Sequence, residues 1–180
     1  MLTLQQLNLA RERVLELLNN AQVPVTAAEA DKIAVTDFGL RDFCRFGLQQ
    51  LDYVDSDVFY AGEIVMLPNQ ICPEHHHPTV ENEMPKEQTF RCRWGTVYLY
   101  VPGEETPEPK AIIPPERAQY FTVRHEIVLR PGQQYTIPPN TLHWFQAGPE
   151  GAVITEFSTG SRRAAEVFTD PGIYKVAQMV

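Results

Sequence analysis

Near the start of the chain, Leu4, Leu7, Val14, Leu17 and Leu18 fall on one face at helical spacing, with Gln, Arg and Glu between them. This pattern predicts an amphipathic helix. Thr26 to Glu29 has the form of a capping box, which predicts a second, short helix. After about residue 35 the pattern changes. Short apolar runs alternate with Pro, Gly and Asn: YVDSDVFYA, GEIVMLPN, TVYLYV, HEIVLRPG, YTIPPN, LHWFQA and AVITEFS. These are strand lengths separated by turn signals. The chain has 15 prolines, most of them at such boundaries, where a residue without an N–H does not break a sheet ladder. The expectation is one domain over residues 1–180: a helical N-terminal part over 1–35, then an antiparallel β-barrel or jelly roll over 36–175. The proline-rich stretch from Pro102 to Arg117 reads as a solvated connection between two halves of the β region.

Composition narrows the class. With 180 residues the chain is long enough for one sizeable core. The net charge of -8 argues against a nucleic-acid backbone or an anionic membrane as partner. No run of 18 apolar residues predicts a membrane span, and Arg11 and Glu12 interrupt anything resembling a leader, so the cytoplasm is the expected compartment. Cys44, Cys72 and Cys92 are odd in number and widely spaced, which predicts reduced, mostly buried thiols with no chemical role.

The histidines carry the chemistry. His75, His76 and His77 are consecutive, and alternation along a strand lets His75 and His77 face one way while His76 faces the other. Two imidazoles on one strand face form half of a transition-metal site. Here the chain resembles the cupin superfamily, whose first motif has the form G-x5-H-x-H, a spacer, then E-x6-G. Asn69 stands at the first Gly, and the motif closes at Gly95. Asn tolerates the left-handed backbone conformation that such a Gly adopts. The second motif, G-x5-P-x-G-x2-H-x3-N, runs from Gly132 through Pro138 and Asn140 to His143, with Ala147 at the final Asn position. The resemblance implies a mainly β, cupin-type fold and a metal on His75, His77 and His143. His125, in a plain strand pattern, reads as structural, as does Glu126.

The fourth position departs from the motif. Counting back from Gly95, the expected Glu falls on Gln88. Register puts Gln88 inward and Glu87 outward. Three candidates follow, in order of preference: Gln88 ligates through its amide oxygen, a bulge brings Glu87 in, or another acid such as Glu74, Glu81 or Glu83 serves.

A closer resemblance is to the D-lyxose isomerase family, on PEHxH, KExTFRxxWG and TIPPNTxHWFQAG, and it extends from about Asp37 to Ile173. It implies a manganese enzyme, with Fe, Co, Ni and Zn as other candidates, that interconverts D-lyxose with D-xylulose and D-mannose with D-fructose. A sugar would be the partner, and a homodimer the default assembly. Such chemistry needs a metal to polarise oxygens and a group to carry a proton between C1 and C2. Glu156, an acid inside an apolar strand, is the candidate base. Lys86, two before Gln88 and so on the same face, is the candidate for holding a sugar oxygen or stabilising an enediolate. Asp170, in FTDP, and Arg91 are candidate substrate contacts. Of Trp144 and Phe145, one lines the pocket and the other is core; Trp144 is the candidate contact. Rival readings are a phosphosugar isomerase using Lys86, Arg91 and Arg93, a non-haem dioxygenase, and a sugar-binding cupin whose catalysis is impaired by Gln88.

Overall fold

The computed structural model describes residues 2–81, 84–160 and 165–173. Helix α1 spans Leu4–Asn20, and its start is fixed by Thr3, whose hydroxyl accepts from the Gln6 N–H while the Gln6 side chain accepts from the Thr3 N–H. It buries Leu7, Ala10, Val14, Leu17 and Leu18. Leu4, expected on that stripe, is 67% exposed, because it lies in the first turn and Ala10 completes the packed face instead. Helix α2, Ala27–Ala30, opens on the predicted Thr26–Glu29 capping box.

The remaining elements are β1 (Ala34–Thr36), β2 (Leu48–Asp55), β3 (Tyr60–Met66), β4 (Ile71–His76), β5 (Gln88–Val101), the 3-10 turn η1 (Pro115–Tyr120), β6 (His125–Leu129), β7 (Gln134–Ile137), β8 (His143–Ser158) and β9 (Val167–Phe168). The paired strands run antiparallel, in the order β1-β2-β3-β8-β4-β9, with β5 joining β6, β7 and β8. Two sequence expectations change. The run YVDSDVFYA is not one strand but a hairpin, with Ser56 and Phe59 hydrogen-bonded across its turn. LHWFQA and AVITEFS are not two strands but the two halves of β8.

Strand β8 organises the roll. Its first half pairs with β4, its second half with β3, and β5 runs along both. Register shifts between Cys92 and Trp94 and between Gly95 and Val97 bend β5, so the sheet curls on itself into the cupin-type roll. Gly95, at φ +74°, sits at that bend; a Cβ there would lie 2.1 Å from the Gly151 carbonyl oxygen. Asn69 and Asn140 both adopt positive φ, 60° and 56°, as their places in the two motifs require.

Two cores result. One fills the inside of the roll around Phe46, Met66, Phe90, Leu99 and Phe145. The other lies between α1 and the outer face of β2, β3 and β8, around Val14, Leu18, Leu51, Val65 and Val153. Cys72 and Cys92 are buried, but Cys44 is exposed, contrary to expectation. Burial pushes the Cys92 thiol up to about 11, so it stays protonated and unreactive.

Glu74 ties the roll together away from its interior. Its carboxylate accepts from Thr122 N (2.6 Å), Thr122 Oγ1 (2.9 Å), Val123 N (2.9 Å) and Thr169 Oγ1 (2.7 Å). It therefore joins β4 to the chain before β6 and to the end of β9. Glu74→Ala leaves those part-buried donors without an acceptor. It is expected to lower stability by about 3 kcal/mol, measurable as a fall in the urea midpoint at unchanged slope.

Candidate active site

His75 lies on β4, His77 just beyond its end, and His143 opens β8, directly across from His75. Their ring nitrogens converge to within 4.8 Å of one another, and all three side chains are buried. The tautomers follow from the backbone. The Nδ1 of His75 lies 2.8 Å from the Pro73 carbonyl, and that of His143 lies 2.8 Å from the Thr141 carbonyl. A carbonyl only accepts, so each Nδ1 carries the proton and each Nε2 keeps a lone pair facing inward. Burial holds His143 well below the usual imidazole range; His75 and Lys86 push the same way, against the Thr141 carbonyl and Glu166. A neutral His143 is the form that ligates a metal. Three imidazoles in a buried cluster fit a divalent transition ion.

Gln88 begins β5 with its side chain buried, and its Nε2 lies 2.7 Å from His143 Nε2. The amide thus donates to the lone pair a metal would use. Turning the amide over would present Oε1 to the cluster instead. The other candidates for this place are disposed differently. Glu87 is exposed and its N–H is fixed by Thr159 Oγ1 at 3.0 Å, so no bulge turns it inward. Glu81 is exposed, and Glu74 is committed to the bonds described above. Glu83 lies outside the described residues.

Lys86 and Glu156 complete the inner wall. Lys86 Nζ is 2.9 Å from Glu156 Oε1, and both side chains are at least 95% buried. Phase explains the meeting: Glu156 sits opposite Phe90 on β5 and opposite Gly62 on β3, so it points into the roll. Phe38, Tyr60, Phe90 and Phe145 line the same cavity as His75, His77, Lys86, Gln88 and Glu156, and His143 lies behind it against Gln88.

Three sequence-predicted contacts are corrected. Trp144 follows His143 and therefore points to the opposite face of β8. There it stacks on its cross-strand partner Tyr100 at 3.9 Å and donates Nε1–H to the Val123 carbonyl, 2.9 Å away. Phe145, in phase with His143, is the pocket residue. Arg91 is out of phase with Gln88 and Phe90. It lies on the outer face, donating to Gln134 Oε1 at 3.0 Å, and Arg93 beyond it is exposed. Asp170 is buried but does not line the cavity. It pairs with Arg117 and accepts from the Gly172 N–H, closing the turn after β9. Glu166, Tyr60 and Gln50 line the cavity without having been singled out in the sequence. Tyr60 was hidden inside a run read as one strand. Glu166 precedes a two-residue strand too short to show a period.

Over 180 residues, the whole of both chains, the protein is 54% identical to the D-lyxose ketol-isomerase of Thermofilum sp.. It is 51% identical over 169 residues, 94% of this chain and 93% of the relative, to the D-lyxose/D-mannose isomerase of Thermosediminibacter oceani. Among solved structures, the L-ribose isomerase of Cellulomonas parahominis has the same fold. The TM-score is 0.81 at 14% identity, over 97% of this chain and 95% of that one. No family model matches the chain.

Proposed function

The chain belongs to the D-lyxose isomerase family, and from that premise we propose that it interconverts free aldoses and ketoses, D-lyxose with D-xylulose and D-mannose with D-fructose. The observation that carries this reading is a cluster of three buried imidazoles, two of which, His75 and His77, line one cavity with the buried Lys86–Glu156 pair. Aldose–ketose exchange asks for an electrophile at two adjacent oxygens and a proton carrier beside them, and this wall offers both.

In this reading His75, His77 and His143 hold a divalent ion, with Mn2+ as the working metal and Gln88 Oε1 as the fourth donor. The ion, when bound, supplies Lewis acidity toward the C1 and C2 oxygens of the open-chain sugar. Glu156 removes the proton from C2 and returns it at C1 by way of a cis-enediol, while the O2 hydroxyl proton passes to O1. Lys86, already paired with Glu156, steadies negative charge as it develops on the sugar oxygens. The aromatic walls exclude bulk water, which strengthens these interactions. Arg91 and Arg93, the cations a phosphate ester would need beside Lys86, face outward, which weighs against a phosphosugar substrate.

The reading extends to a cytoplasmic homodimer. No helix among the described residues is long and apolar enough to cross a membrane. Tyr53, Val58, Phe59 and Phe157 are exposed apolar residues around the β2–β3 hairpin, and they suit contact with a second copy.

Chelator-treated protein is expected to lose D-lyxose turnover and to regain it with Mn2+, while D-fructose 6-phosphate is not turned over. Turnover in heavy water is expected to place deuterium in the product. Unimpaired activity after complete metal removal rejects the reading, and full transfer of the C2 hydrogen to C1 rejects the proton-carrier version. Gln88→Glu is expected to tighten Mn2+ binding by at least the about ten- to hundredfold that changes in the outer shell of such sites produce. Titration with a competing chelator measures it. Tight sugar binding without turnover, with turnover appearing in Gln88→Glu, would instead favour a binding protein.

A further inference from the structure

We propose that Glu166 is a positioning residue for the metal centre: from behind His77 it fixes that imidazole and returns to the site the negative charge that Gln88 lacks. The inference rests on the metal reading above and concerns a residue outside the motif positions.

The backbone places it. Strand β9 pairs with β4 through His75↔Phe168 and His76↔Val167. Continuing that antiparallel register by one pair sets Glu166 opposite His77. Directly opposed residues have Cβ atoms about 4.5–5.5 Å apart, within mutual reach of their side chains. The side chains do approach: Glu166 Oε1 is 3.9 Å from His77 Nδ1, with side-chain exposures of 11% and 4%. Glu166 also lines the same cavity as His75, His77 and Gln88. A movement of about 1 Å at the carboxylate closes the gap to a hydrogen bond.

The three histidines then follow one scheme. His75 and His143 direct Nδ1 at the backbone carbonyls of Pro73 and Thr141, which leaves Nε2 for the metal. The His77 Nδ1 lies 3.9 Å from a carboxylate oxygen instead. A carboxylate in that position fixes the tautomer as a carbonyl does, and it also raises the basicity of the ligating nitrogen. With three imidazoles and an amide, the inner donors carry no charge. The Glu166 carboxylate, with its side chain 11% exposed, stands one imidazole away from the site, where a low local dielectric strengthens electrostatic interactions.

The test is a metal-affinity cycle on the full chain, read by titrating metal-free protein with Co2+ and following its visible absorption. Four proteins are compared: the unmodified chain, Glu166→Gln, Gln88→Glu and the double variant. Glu166→Gln keeps the shape and removes the charge. It is expected to weaken Co2+ binding about ten- to hundredfold, with the urea midpoint of the metal-free protein unchanged. In the Gln88→Glu background the same substitution is expected to cost several-fold less, because the charge is then supplied at position 88. Glu166→Asp, which keeps the charge but shortens its reach, is expected to fall between and guards against a folding defect in the Gln variant. Co2+ affinity within twofold of the unmodified chain in both Glu166 variants overturns the inference. An unmodified chain that binds no Co2+ or Mn2+ overturns instead the metal reading on which it stands.

Discussion

Replacing Glu156 by Gln is expected to lower kcat for D-lyxose by about 10²- to 10⁴-fold while sugar binding changes little. The amide is nearly isosteric, so the cavity keeps its shape, but it cannot take a proton from carbon. Deuterium exchange at C2 in heavy water is expected to stop with turnover, because both depend on the same proton transfer. A complication follows from the geometry. Glu156 lies 2.9 Å from Lys86 in a wall where both are buried. Removing one member of such a pair leaves the other charge uncompensated, at a cost of about 3–5 kcal/mol. The activity loss therefore has to be separated from a loss of folded protein. The double variant Lys86→Met with Glu156→Gln does this: with no charge left on the wall, stability is expected to recover substantially while activity does not. Retention of C2 exchange in Glu156→Gln would assign the base to another group.

His143→Ala is the second large effect. Its Nε2 accepts from the Gln88 amide at 2.7 Å, and its ring lies 4.2 Å from that of His75 across the β4–β8 ladder. Losing it leaves two imidazoles and an amide, an incomplete set for a tetrahedral or larger coordination shell. Metal content is expected to fall from about one ion per chain to about a tenth of that or less under dialysis. The rate is expected to drop about a thousandfold, equivalent to several kcal/mol of lost electrophilic stabilisation. His143 is fully buried, so the truncation also opens a void beside Phe90 and His75. Comparing His143→Ala with the chelated unmodified protein isolates the packing contribution, since neither carries metal. Near-normal metal content in His143→Ala, measured by elemental analysis, would remove this residue from the ligand set.

Most of the centre was legible before any coordinates. HxH on a strand, a third His after Pro-Pro-Asn, and Gly or Asn at the intervening turns are short-range patterns. Their meaning depends on alternation and on which residues accept positive φ. Gln88 inward and Glu87 outward was expected from counting back from Gly95; the structure places them so, with β5 alternating regularly from Gln88 to Cys92 and its register shifts confined to the stretch from Cys92 to Val97. Alternation also decides between Trp144 and Phe145, of which the expectation chose Trp144. Inward His143 requires outward Trp144, and the aromatic that follows in phase is Phe145. Arg91 failed for the same reason, being one residue out of phase with the face that holds Gln88.

What the sequence determined by itself, then, is the local content. It specifies two capped helices, a succession of strands and turns, the three histidines, and an amide where the motif has an acid. The physical reason is that capping, alternation and turn conformation act over a few residues and leave their record in the order of residue types. Only the tertiary structure decided which distant groups meet. It joined LHWFQA and AVITEFS into one long strand that both β4 and β5 use, set Lys86 against Glu156 across the roll, and withdrew Asp170 into a pair with Arg117. It also brought Glu166 beside His77 through a strand of two residues. Those meetings are set by the curl of the sheet and by register between strands far apart in the chain. No local pattern encodes them, and the charge around the proposed metal is fixed at that level.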